Sequence, residues 1–362
     1  MKRKSLFIIL LAAAMILALT GCSGTPQVSQ ESLSESAAVS QAPSQAVEPS
    51  ESADAGEKSY KIGIIQYVEH PALDAAREGF IQALADNGFT DGKNITIDVQ
   101  NAQADQSNLK TISQRFVNNK EDLILAIATP AAQSVASETT EIPVLGTAIT
   151  DYVAAKLVNS NEAPGGNISG TTDMNPVKEQ IDLMKKFVPD VKNVGLLYTS
   201  SEDNSVLQAG LVKDACKALG LNVIEATVTS SNDVQQVTQS LAGKVDAIYI
   251  PTDNVIASSM PIVSEITIGA GIPTICGEEN MVLSGGLATI GIDYSKLGYQ
   301  TGEMAVKLLN GEAKIADMPI ESQKDYAYKI NGDFAKAIGL EIPADLSQYV
   351  VAPAASASPS ES

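Results

Sequence analysis

Tryptophan is absent from this 362-residue chain, histidine occurs once, and aromatic residues make up only 4%. Cysteine occurs three times, at Cys22, Cys216 and Cys276, with no spacing that suits a metal. Basic residues are also scarce. Against 43 Asp and Glu there are 24 Lys and Arg, a formal net charge of −19. So acidic a chain is a poor partner for nucleic acid or an anionic membrane surface. No nucleophile elbow, P-loop or Gly-rich dinucleotide fingerprint is present. The stretches "GIDYSKLG" and "APGGNISG" contain glycine outside any strand–GxGxxG–helix setting. Acid–base or covalent catalysis would rest on carboxylates alone, and neither a metal nor another cofactor is expected. Binding needs no such apparatus, so these absences favour a non-enzymatic role.

One long apolar run stands at the start. Lys2, Arg3 and Lys4 precede Leu6–Leu19, which is short for a membrane span and is followed by small residues. This is the pattern of a secretory signal. Its end, Leu19-Thr20-Gly21-Cys22, resembles a bacterial lipobox, which implies diacylation of Cys22 and a lipid anchor on the outer face of the cell membrane. Residues 1–22 are the expected signal peptide, and the chain without it is more acidic than −19. Residues 23–57, made of Ser, Ala, Gln, Pro and Glu, cannot bury enough surface to offset their ordering entropy and are expected to be a disordered linker. Residues 350–362 read as a disordered tail. The remainder, 58–349, suggests two domains of ordinary size. Cys216, in a helical pattern, and Cys276, at a strand end, are expected to be buried free thiols, with a disulfide as the alternative.

What is present is alternation. "KIGIIQY" (61–67) reads as a buried strand, and "PALDAAREGFIQALADNG" as a helix stopped by Gly88. "NITIDVQ" (94–100) is a strand, and "SNLKTISQRFVNN" a helix with a serine cap. "DLILAIA" (122–128), "PAAQSVASE" and "IPVLGTA" (142–148) continue the series. This is βαβ order, with helices covering both faces of a parallel sheet. The order then recurs: 194–228 repeats 62–99, 232–259 repeats 108–137, and 271–280 repeats 141–150. Thr129 aligns with Thr252, and Pro143 with Pro273. Two similar α/β lobes explain the repeat.

Ligands of such sheets bind outside the carboxyl ends of the strands, so two facing lobes put the polar strand-end loops around one cleft. In "LILAIATPAAQSVAS", Thr129 reads as an N-cap and Pro130 as the first helical residue, leaving the Ala131 and Ala132 amides free for a ligand carboxylate. A plain capped helix is the alternative. A ligand carboxylate suggests a ligand cation, and the loops offer Asp151, Asp253, Glu278 and Asp293 as partners, each of which could equally be a helix cap. Further loop chemistry comes from Tyr67, Glu69 and His70, and from Ser200, Ser201, Asn204 and Ser205.

The stretches "IGIIQYVEHPALDAAREGF", "ILAIATPAAQS", "TAITDYVAAKLV", "NISGTTDMNPVKEQIDL", "VGLLYTSSEDNS", "AIYIPTDN" and "IGIDYSKLGYQTG" together resemble extracytoplasmic solute-binding lipoproteins of ABC importers, in particular the group that binds tryptophan and phenylalanine. The resemblance covers about Lys58 to Leu340. It implies a type I periplasmic-binding-protein fold: two doubly wound Rossmann-like lobes joined by three hinge segments near Thr171–Asn175, Asp293–Ser295 and Gln323–Tyr326. Lobe one would be 58–172 plus 296–322, and lobe two 173–295 plus 323–349. The implied ligand is a free amino acid, aromatic or large and apolar, delivered to a membrane permease with a cytoplasmic ATPase by a monomeric receptor. Thr129, Ala131 and Ala132 would hold its carboxylate; Asp253, with Asn254 and Asp151, its ammonium. Tyr67, Glu69, His70 and Leu73 would line the side-chain pocket, with Ser201, Asn204 and Ser205 closing from lobe two. Thr150, Glu278 and Asp293 complete the candidate set. Tyr152 stands where the resemblance implies proline. Another solute (a branched-chain amino acid, nucleoside or sugar) or a sensory role are the alternatives, and the lack of Trp and of loop arginines counts against sugar.

Overall fold

The computed structural model describes residues 59–351; the signal, Cys22, the linker and most of the tail lie outside the described residues. The chain opens with β1 (Tyr60–Gln66), α1 (Pro71–Asp86), β2 (Ile95–Asn101), α2 (Gln106–Asn119), β3 (Leu123–Ile127), α3 (Thr129–Glu138), β4 (Val144–Ile149) and β5 (Ile168–Thr172). Every residue of β3 is buried, as is all but the start of β1. That is why both read as continuous apolar runs rather than as alternation. α2 is capped by Asp105, whose side chain accepts from the Asn108 amide, and not by serine as the sequence pattern suggested.

The second lobe runs through α4 (Val177–Phe187), β6 (Asn193–Thr199), α5 (Asp203–Ala218), β7 (Asn222–Val228), α6 (Ser231–Leu241), β8 (Ala247–Ile250), α7 (Asn254–Ser258), α8 (Met260–Ala270), β9 (Thr274–Cys276), α9 (Glu279–Leu283) and β10 (Ala288–Gly291). The chain then returns to lobe one as α10 (Tyr294–Leu309) and β11 (Glu321–Ser322), and ends in lobe two with β12 (Ala327–Asn331), α11 (Gly332–Ala337) and β13 (Val350–Val351). Val350 and Val351, expected to open the disordered tail, instead pair with β12.

Lobe one holds a parallel sheet in the order β11-β5-β4-β3-β1-β2, and lobe two a sheet in the order β13-β12-β10-β9-β8-β6-β7, with only the β10–β12 pair antiparallel. Read through their first five strands, both follow the doubly wound order 2-1-3-4-5. The internal repeat extends to single hydrogen bonds. The Ile124 amide donates to Pro143 O at 2.9 Å, and the Ile248 amide to Pro273 O at 2.9 Å. The Asp122 carboxylate accepts from the Lys61 amide and the Asp246 carboxylate from the Asn193 amide, each at 2.8 Å. Apolar side chains pack one core in lobe one, and in lobe two they pack on both faces of the sheet.

Helices α1 and α10 lie close because glycines face the contact. A Cβ on Gly298 would fall on the Ala76 carbonyl, and one on Gly79 on the Ser295 carbonyl. The crossing thereby ties the middle of α1 to the first half of α10. Among the described residues no helix is long and apolar enough to cross a membrane. Cys216 and Cys276 are buried free thiols.

Candidate functional site

The chain passes between the lobes three times, between β5 and α4, between β10 and α10, and between β11 and β12. Beside these crossings the strand ends of both sheets close around a small cavity. Lobe one contributes His70 and Leu73 from the start of α1, and Ala148 and Thr150 from the end of β4. The first crossing contributes Asp173, and α10 contributes Tyr294. Lobe two contributes Asn204, Thr252, Asp253, Asn254, Ala257 and Glu278. The lobes touch directly. Gln133 Nε2 donates to Asp203 Oδ2 at 2.8 Å, Gln208 Nε2 to Thr150 Oγ1 at 3.2 Å, and His70 Nε2 lies 3.3 Å from Asn254 Oδ1.

The structure sorts the sequence-derived candidates. His70, Leu73, Thr150, Asn204, Asp253, Asn254 and Glu278 line the cavity. Glu69 and Ser201 are exposed, and the Tyr67 hydroxyl points to Ala104 O at 3.5 Å. Asp151 caps its own turn through the Val153 and Ala154 amides, and Asp293 caps α10 through the Ser295 and Lys296 amides. Tyr152 is buried and donates to Thr171 O at 3.0 Å, packed over Gly146 and Gly170 and outside the cavity lining.

Two readings are corrected. The N-cap of α3 is Ala128, not Thr129. Ala128 takes φ 81°, and its carbonyl accepts from the amides of both Ala131 (3.1 Å) and Ala132 (3.2 Å). Those amides are therefore not free for a carboxylate, and Thr129, Ala131 and Ala132 stand outside the cavity lining. Thr129 keeps only a buried hydroxyl without a hydrogen-bond partner. Asp253 is the second correction. Its carboxylate accepts from the Thr199 amide (2.5 Å) and hydroxyl (2.8 Å), the Ser205 hydroxyl (2.7 Å) and the Ile256 amide (2.8 Å). Four donors fill its acceptor positions, so it holds the start of α7 in place and has no vacancy for an ammonium.

Residues the sequence did not single out carry much of the site. Asp173 is buried and accepts from Thr150 Oγ1 (3.0 Å) and Tyr294 OH (2.6 Å), which leaves one acceptor position on each oxygen. Glu278, which the sequence did offer, likewise accepts one amide per oxygen, from Asn280 (2.5 Å) and Met281 (2.7 Å). Glu202, fully buried, accepts from Asn204 Nδ2 (3.1 Å), Asn254 Nδ2 (2.5 Å) and the Val255 amide (3.2 Å). Asp173 sat within a hinge segment and Glu202 inside "TSSEDNS", where the hydroxyls and amide drew the reading. The first crossing places Asp173, and the packing of the β6–α5 turn against the start of α7 buries Glu202.

Burial dominates the electrostatics. It raises the carboxyl groups of Asp173 and Asp253 above the usual range, and moves Glu278 to about 8. Burial, and then the Asp253 charge, moves Glu202 to about 8. Burial lowers His70 to about 4, so its ring is neutral at pH 7. No Lys or Arg lines the cavity, which three carboxylates do. Among the described residues no group of His, Cys, Asp and Glu is placed to hold a metal ion.

Residues 61–352 match the family model of ABC transporter substrate binding proteins. A protein of Clostridioides difficile strain R20291, called a tyrosine-binding protein, is 45% identical over 294 residues, 81% of this chain and 85% of its own. A Streptococcus pneumoniae ABC domain solved in complex with L-Trp is 40% identical, covers 81% of this chain and 100% of its own, and superposes with a TM-score of 0.78. The ligand-free, open structure of a Clostridium difficile substrate binding protein with adhesive properties is 48% identical over 82% of this chain and 100% of its own, yet its TM-score is 0.63. The two-lobe architecture is the type I periplasmic-binding-protein fold. The chain belongs to the ABC transporter substrate-binding protein family.

Proposed function

We propose that this protein captures a free aromatic amino acid between its lobes and delivers it to the permease of an ABC importer. The observation that carries the ligand class is the charge of the cavity wall. Asp173, Asp253 and Glu278 line it with no basic side chain among them. A buried carboxylate is costly unless paired, and a ligand ammonium is the natural partner. Asp173 and Glu278, with acceptor positions open, take the role first assigned to Asp253. Leu73, Ala148 and Ala257 supply apolar wall for a side chain. The tyrosine-binding relative and the L-Trp complex support the aromatic class.

The role is capture without turnover, and closure works by a population shift between open and closed lobes. The receptor acts as a monomer outside the cytoplasm, held to the membrane by a lipid on Cys22. A thermal-shift screen against the amino acids and common nucleosides tests the ligand class. At about 1,000 times the dissociation constant a ligand adds ~4 kcal/mol to stability, so an aromatic amino acid should raise the melting point clearly. If none does while another solute does, the reading fails. Mass spectrometry of the released ligand, expected unchanged, tests the absence of turnover.

A further inference from the structure

His70 is the only histidine in the chain, and its side chain is set by a relay of fixed groups. Glu202 accepts from Asn254 Nδ2 at 2.5 Å, and it also accepts from the Val255 amide and from Asn204 Nδ2. That anchors the Asn254 amide with its Oδ1 toward lobe one, 3.3 Å from His70 Nε2. A carbonyl oxygen only accepts, so Nε2 must carry the hydrogen of this neutral ring. Nδ1 is then a bare acceptor. It is buried, it has no partner among the described residues, and the residue, only 6% exposed, lines the cavity. Leu73, one helical turn on in α1, stands beside it as apolar wall.

We infer that His70 Nδ1 accepts a hydrogen bond from the ligand's side chain, so that the site selects a phenol O–H or an indole N–H over a bare phenyl ring. This rests on the aromatic amino-acid reading above and deepens it to tyrosine and tryptophan against phenylalanine. The physical reason is asymmetric. A donor on the ligand satisfies a group that closure has already removed from water, whereas phenylalanine leaves it unpaired. Glu202 is a positioning residue: it touches no ligand and acts through Asn254 on the histidine tautomer.

Two measurements on the full chain without a histidine tag test this. Calorimetry with L-tyrosine, L-tryptophan and L-phenylalanine should show the first two binding about ten- to a hundredfold tighter than the third. His70→Leu should reduce that ratio to within about threefold by weakening tyrosine and tryptophan, with phenylalanine unchanged or tighter. Nitrogen-15 spectra of labelled histidine report one residue and should show the Nε2–H tautomer, with Nδ1 shifting on addition of tyrosine or tryptophan but not phenylalanine. In Glu202→Gln the tautomer should become mixed and the discrimination weaken. An equal loss for all three ligands in His70→Leu would place the ligand ammonium, not its side chain, on His70 and overturn the inference. Equal affinity of the unaltered protein for all three, or an Nδ1–H tautomer, would overturn it as well. Failure of all three to bind would bring down the amino-acid reading itself.

Discussion

Replacing Asp173 by asparagine should move affinity and stability in opposite directions. The carboxylate is 3% exposed, and its ordinary ionisation is opposed by burial. It accepts from Thr150 Oγ1 at 3.0 Å and Tyr294 OH at 2.6 Å. Asparagine keeps one carbonyl acceptor, and its amide can donate to whichever hydroxyl turns to accept, so the local network survives. The apo protein no longer carries an uncompensated buried charge, and its melting temperature should hold or rise. The ligand ammonium, in contrast, loses a charge-assisted hydrogen bond. Such bonds contribute about 1.5–3 kcal/mol, which corresponds to a dissociation constant raised roughly ten- to hundredfold. Calorimetry with L-tyrosine and a melting curve without ligand measure the two effects separately. Unchanged affinity would show that the ammonium does not sit on Asp173. A large drop in apo stability would show that the residue serves the hinge rather than the ligand.

Further outcomes follow from other groups. Gly298→Ala would press a methyl group onto the Ala76 carbonyl at the α1–α10 crossing; a loss of roughly 1–3 kcal/mol is expected, read by urea denaturation, and an unchanged midpoint would refute the packing argument. Burial holds Glu278 at about 8, above its unfolded value. Its contribution to apo stability is therefore fully present below the unfolded pKa and lost as pH rises toward 8. In Glu278→Gln the fall in apo melting temperature between pH 5 and 8 should be shallower, and an identical profile would argue against the shift. His70 works in the other direction, because burial lowers it to about 4; its share of stability is present above its unfolded pKa and fades as pH falls from there toward 4. In His70→Leu the apo protein should lose less stability on acidification over that range. Cys216 and Cys276 are buried and burial raises both thiols, so a thiol reagent should leave them unmodified until the protein unfolds.

Much of the fold was legible because its signals are local. The apolar runs of β1 and β3, the Gly88 stop and the βαβ order depend on neighbours in sequence. The repeat exposed two lobes because matched segments bury matched faces, down to the shared bonds of Pro143 and Pro273. The site was legible in outline, since strand-end loops are where such sheets bind. His70, Asn204, Asp253 and Glu278 came from that rule; Leu73 and Asn254 came from the family resemblance, beside which Thr150 completed the set. The sequence could not show the cap of α3 because Ala128 adopts φ 81°, a backbone state that an alanine does not advertise. Nor could it show that Asp253 is saturated, because its donors arrive from Thr199 and Ser205, about fifty residues away. Asp173 and Tyr294 became site residues only where chain crossings and the glycine contact of α1 with α10 brought them in, and Glu202 only where the turn after β6 meets the start of α7. Composition and periodicity therefore determined what kind of fold this is: an acidic chain of two α/β lobes. Which carboxylates face the ligand with acceptor positions to spare was decided by the tertiary structure, because the partner of a buried polar group depends on distances between segments far apart in sequence.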